Sequence, residues 1–212
     1  MKWPELLKIA KDQPVIETNM LVNNPVDLPK LRVQLSRWVK SGQLIRIKNG
    51  VYILSDNYRP KPVQYEYIST LIYRPAYISF EYALADYGLI PEGVPTITLV
   101  TANRPHKIQI RKKLLIYQHI KNSLFWGYET RGTTSEPVYF AYAEKALLDY
   151  FYFRSEKICQ RYLDEMRLQN TENLDLEKLK KFAEQFKSPK MIRVANELTK
   201  YAFREREEYK EL

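Results

Sequence analysis

Lys30, Gln34 and Arg37 follow one another at spacings of four and three residues, which on a helix gathers their side chains onto one side. These residue types read base edges in a major groove. An Arg fork matches the paired acceptors of guanine, Lys donates to the same acceptors, and a Gln amide matches the donor and acceptor of adenine. Arg32, Lys40, Arg46 and Lys48 surround them in sequence and carry the positive charge that backbone phosphates accept. Charged side chains on a helix commonly form a plain solvated face, so the choice depends on what the flanking segments build.

Two elements must position these side chains. Asp27 can cap a helix, Pro29 is tolerated in its first turn, and Gly42 stands just past Lys40 and Ser41, where a left-handed residue ends a helix. Leu28, Leu31, Leu35, Trp38 and Val39 then share an apolar arc of about 100°, with Lys30, Gln34, Arg37 and Ser41 opposite and Arg32 and Lys40 flanking. Directly after it, residues 43–54 carry Asn49-Gly50 between two β-branched runs, which predicts a hairpin closed by a type I′ turn with two positive φ angles. Upstream, residues 3–10 predict a short helix with Trp3, Leu6, Leu7 and Ala10 on one face, broken at Gln13-Pro14. Residues 16–22 predict a second short helix, ended by Asn23-Asn24-Pro25. This order predicts an N-terminal winged helix-turn-helix, with residues 16–22, the break at 23–26 and the helix after Asp27 as the helix-turn-helix proper.

The 212 residues carry a net charge of +9, and the excess lies in two blocks. Residues 1–61 hold 11 Lys and Arg against 5 Asp and Glu, and residues 104–131 hold 7 against 1, while residues 132–212 balance at 15 of each. Such concentration suits counterion release from phosphates. The second block gathers Arg104, Lys107, Arg111, Lys112 and Lys113, with His106 among them adding to anion binding. A single cysteine, Cys159, allows no intrachain disulfide and no thiolate metal cage, which suits a reducing compartment. With His106 and His119 the only histidines, neither a metal site nor a cofactor is expected. Residues 1–5 lack the apolar run of a signal peptide, and no stretch reaches the ~20 apolar residues of a membrane helix, so a cytoplasmic protein with no membrane partner is expected.

Residues 56–62, with two prolines and no periodicity, read as a linker between a domain at 1–58 and another at 63–212. Beyond it, helical spacing covers residues 63–73, and Ser79 is placed to cap a helix ending at Gly88. Strands are expected over 96–101, 114–120, 124–128 and 138–141, then a helix over 143–152 with Leu147, Leu148 and Phe151 inward. Separate helices at 159–168, 175–186 and 189–203 follow, and a charged tail at 204–212 that should fray. The fold class is thus α+β: the winged helix-turn-helix, then a mixed α/β domain with a helical C-terminus.

Enzyme chemistry finds little footing. No Gly-rich phosphate loop, Gly-x-Ser-x-Gly elbow or helical pair of histidines is present. Glu81, Asp86, Glu144 and Asp149 are the candidate paired carboxylates, and pairing with Lys145 or Arg104, or capping of a nearby turn, accounts for them better than catalysis. Seventeen tyrosines could stack nucleobases, but Tyr65, Tyr67, Tyr73, Tyr82, Tyr150 and Tyr152 fall on helices, which favours packing.

Four segments in order carry a resemblance: the basic helix and hairpin ending Gly50-Val51-Tyr52, residues 77–91, a Thr-rich strand with its basic follow-on, and residues 143–149. Together they resemble the AbiEi family of antitoxin-type transcriptional regulators of type IV toxin-antitoxin systems, over roughly residues 5–155. The resemblance implies a non-enzymatic repressor that binds operator DNA to autoregulate a toxin-antitoxin operon of the phage-defence kind. It further implies a C-terminal domain that antagonises a co-transcribed nucleotidyltransferase-like toxin, without requiring a stable complex. Arg104, Lys107, Arg111, Lys112 and Lys113 would then contact that toxin or a nucleic acid. A stand-alone regulator and an RNA-binding protein using residues 104–131 are the alternatives.

Overall fold

The amphipathic spacing of Trp3, Leu6, Leu7 and Ala10 forms helix α1 (Trp3–Asp12) in the computed structural model, which describes residues 1–12, 15–21, 27–59 and 61–208. Val15–Glu17 is strand β1 and Thr18–Leu21 a 3-10 turn, so the short helix expected over residues 16–22 is not formed. The reason is tertiary. Val15 and Ile16 pair with Ile53 and Tyr52 further along the chain, and pairing of β-branched residues in a sheet outweighs local helical spacing. Gln13-Pro14, Val22 and the expected break at 23–26 lie outside the described residues.

Helix α2 (Leu28–Lys40) buries Leu31, Leu35 and Trp38, the centre of the expected apolar arc. Its C-terminus closes on Gly42 at φ 74°, with the Gly42 amide donating to Val39 O at 3.1 Å and the Gln43 amide to Trp38 O at 2.9 Å. The N-terminus departs from expectation: Asp27 lies in helical backbone and its carboxylate makes no capping bond. Strands β2 (Leu44–Lys48) and β3 (Val51–Leu54) form the hairpin around Asn49-Gly50. Gly50 takes φ 78° while Asn49 is not left-handed, so the turn is not the expected type I′. A bulge between Arg46 and Lys48 supplies the local twist instead. The three-stranded antiparallel sheet runs β1-β3-β2, and Leu6, Ile16, Leu35, Trp38, Leu44 and Leu54 form one core with α1 and α2.

The chain divides into two compact units, Met1–Ile68 with Thr133–Glu136 and Ser69–Gly132 with Pro137–Leu212. The division falls within helix α3 (Tyr65–Ile72). The second unit holds strands β4 (Ala76–Ile78), β5 (Ile97–Thr101), β6 (His106–Ile110), β7 (Lys113–His119), β8 (Tyr128–Gly132) and β9 (Pro137–Ala141). They form one mixed sheet in the order β6-β7-β5-β4-β9-β8, with β4–β9 and β5–β7 parallel and the other pairs antiparallel. Helices α4 (Phe80–Asp86), α5 (Ala143–Tyr152), α6 (Gln160–Met166), α7 (Leu176–Gln185) and α8 (Pro189–Glu208) complete it. With eight helices and two sheets among the described residues, the fold is α+β.

Three expectations change in this unit. Residues 124–127 are not strand, because Trp126 turns to pack on Phe182 and Phe186 at ring distances of 5.2 and 5.4 Å, and only Tyr128 onward pairs. The basic stretch before Lys113 contains an edge strand, β6, whose Ile108 and Ile110 are buried while its charges point out. The tail beyond Phe203 stays helical to Glu208, with the Arg206 guanidinium donating to Glu172 O at 3.0 Å and Arg204 paired with Asp164 at 2.6 Å.

Candidate nucleic-acid interface

The packing of α2 decides which of its side chains can meet a partner. Leu31, Leu35 and Trp38 point into the core, so Lys30, Arg32, Arg37 and Lys40 are exposed and Gln34 is half-buried. Trp38 is fixed by an edge-on contact to Trp3, 5.2 Å between ring centres, which holds the helix against α1. The polar side that carries Lys30, Gln34 and Arg37 therefore faces away from the core of its own unit.

 Beside α2 the hairpin forms a groove of about 630 Å³. Arg32 and Ser36 of α2 line one side, Arg46, Lys48, Asn49 and Gly50 of the hairpin the other, and Glu17, Thr18 and Asn19 the end. Three cations thus face one carboxylate across a polar channel. The hairpin is held in place by Thr18, whose amide and Oγ1 both donate to Gly50 O, at 2.8 and 3.0 Å. Within the hairpin the Arg46 guanidinium donates to the Asn49 side chain, which orients it along the groove wall. The groove gathers Arg32, Arg46 and Lys48 of the expected phosphate contacts, but not Lys40, which lies at the end of α2. Ser36, Asn49, Thr18 and Asn19 were not expected there. Ser36 could have been read from its place one turn after Arg32, whereas Thr18 and Asn19 reach the groove only through the pairing of β1.

The second basic block belongs to the other unit. Lys107 is exposed on β6, Arg111 and Lys112 are exposed at the β6–β7 turn, Lys113 begins β7, and Arg104 precedes β6. Arg111 takes φ 53°, and the Lys113 ammonium donates to Pro95 O at 3.0 Å. His106 stacks on Tyr73 at 5.2 Å, and His119 Nδ1 lies 2.8 Å from Asn103 O. Charges along a sheet edge also discourage edge-to-edge pairing, so the block has a structural role of its own.

The four carboxylates are each matched to a cation. Glu81 pairs with Arg154 at 3.0 Å, Asp86 with Arg131 at 2.8 Å, and Glu144 with Lys178 at 3.2 Å while also accepting the Asp175 amide at 3.0 Å. Asp149 and Lys145 form an ion pair with neither side chain exposed. Arg104 takes no part in these pairs. Asp149 also accepts from Ser79 Oγ at 2.8 Å and Tyr77 Oη at 3.0 Å, and the Lys145 ammonium donates to Tyr77 Oη at 2.8 Å. Ser79 thus spends its hydroxyl on Asp149 and does not cap α4 through its side chain. Burial pushes Asp149 up and Lys145 down from their ordinary ranges, and each opposes the other's shift by its charge. Tyr77 and Tyr117 are buried, so these tyrosines pack and do not form a stacking platform.

Among the described residues no helix is long and apolar enough to cross a membrane, and no cluster of His, Cys, Asp or Glu could hold a metal ion. No family model matches the chain. No curated protein matches it either.

Proposed function

We propose that this protein is a DNA-binding transcriptional repressor whose first unit is a winged helix-turn-helix. The observation that carries the reading is the groove in which Arg32 of α2 faces Arg46 and Lys48 of the hairpin, beside the outward polar side of the same helix. The order helix, strand, helix, hairpin, with β3 central in the sheet, also suits this reading. Lys30, Gln34 and Arg37 contact base edges in a major groove, and Arg32, Lys40, Arg46 and Lys48 contact the backbone. Fluorescence anisotropy with duplex DNA from the protein's own promoter, competed by tRNA at matched salt, tests it. Duplex DNA should compete better than tRNA, and the reverse order would favour RNA binding through residues 104–131.

For the second unit the likeness of residues 77–91 and 143–149 to the AbiEi family supports an antitoxin-type role, antagonism of a nucleotidyltransferase-like toxin. Arg104, Lys107, Arg111, Lys112 and Lys113 make the contact with toxin or nucleic acid. Co-expression of the full chain with a nucleotidyltransferase-like neighbour of its gene should restore growth, and the Lys107→Gln, Arg111→Gln, Lys112→Gln triple variant should not. Continued growth arrest beside the folded wild-type chain would overturn this role and leave the DNA-binding reading untouched.

A further inference from the structure

The second unit contains a cleft of about 810 Å³ between α8 and the segment joining α5 to α6. Along α8, Lys190, Arg193, Glu197 and Lys200 follow at spacings of three, four and three residues and so share one face. Lys157 stands on the opposite wall and Lys180 of α7 closes one side, giving five cations against Glu156 and Glu197. Phe151 and Val194 are only 3% and 1% exposed, so the accessible apolar floor comes from half-buried Ile158.

The cations are unequally engaged. Lys200 pairs with Glu197 at 2.7 Å and Lys180 with Glu177 at 3.1 Å. The Lys190 ammonium donates to Tyr152 O at 3.2 Å and to Arg154 O, which leaves one of its three protons. Lys157 and Arg193 have neither an ion pair nor a hydrogen bond among the described residues, so an Arg fork and an ammonium face the cleft with unspent donors. Burial also depresses the Lys190 ammonium, with the Glu156 charge opposing, and an anion in the cleft would oppose that depression further.

We propose that this cleft binds a nucleotide, with its phosphates on Arg193, Lys157 and Lys190 and its ring over the apolar floor. The volume lies in the range of small-molecule sites, roughly 300–1,000 Å³, and the mixture of an apolar base with a few charged donors is the composition such sites share. A free phosphate would use the donors and leave the floor exposed. The ring is what the floor adds.

Isothermal titration of the full-length protein with ATP, adenosine and inorganic pyrophosphate tests this without reference to any DNA. ATP should bind saturably at one site per chain, more tightly than either pyrophosphate or adenosine. Arg193→Gln and Lys157→Gln, both at exposed positions, should each weaken ATP by roughly tenfold, while Lys8→Gln on α1 should not. No saturation by 5 mM ATP, equal binding by Arg193→Gln and wild type, or binding of a single-stranded oligonucleotide in place of ATP would each overturn the proposal.

Discussion

Thr18 and Gly50, 32 residues apart, are joined by two hydrogen bonds onto one carbonyl, from the Thr18 amide at 2.8 Å and its hydroxyl at 3.0 Å. This contact fixes the hairpin tip relative to β1 and so sets the width of the groove. Thr18→Val keeps the shape and removes the hydroxyl bond, with an expected loss of about 0.5–1.5 kcal/mol in urea unfolding. Gly50→Ala forces a β-carbon onto φ 78° within 3.4 Å of Thr18 Oγ1, and it should cost about 1–2 kcal/mol. Unchanged unfolding midpoints in both variants would mean that the tip is not anchored there.

The buried pair at the centre of the second unit makes a different prediction. Lys145→Met leaves Asp149 fully buried without its counter-charge, at an expected cost of about 3–5 kcal/mol. Adding Asp149→Asn removes the carboxylate while still accepting from Ser79 and Tyr77, so the double variant should be the more stable of the two by urea unfolding. A double variant less stable than Lys145→Met would contradict the account of an uncompensated charge.

Stability should also fall in alkali. Burial raises Tyr77, Tyr117 and Tyr150, and it pushes Tyr87 up to about 12 against the opposing charge of Arg131. In the unfolded chain each phenol ionises near 10. Between about pH 10 and 12 the native state therefore binds more protons than the unfolded state, and stability declines as pH rises through that window. Urea midpoints measured from pH 8 to 11 should be flat below about pH 10 and drop above it, and a rise there would refute the assignment.

What could be read from the sequence was what the chain encodes locally. Gly42 and the apolar spacing of Leu31, Leu35 and Trp38 fix α2 within a few residues, and Asn49-Gly50 marks the hairpin. Strand β1 was missed because Val15 and Ile16 acquire their state from Ile53 and Tyr52, far away in sequence. Strand β6 was missed because its alternation is masked by charge: only Ile108 and Ile110 turn inward. Pairing of a carboxylate with Lys145 was expected, but nothing local indicates that a lysine is fully buried. The groove needs three segments to converge, so its outline was not legible even though Arg32, Arg46 and Lys48 were.

The most direct test of the central claim compares Arg37→Ala with Lys48→Ala for binding to the promoter duplex and to a scrambled duplex at matched salt. Arg37→Ala should lose about 1–3 kcal/mol on the promoter site and much less on the scrambled one, whereas Lys48→Ala should weaken both alike and lower the salt slope by about 1. If the two variants shift promoter and scrambled DNA equally, α2 does not read bases and the repressor account fails.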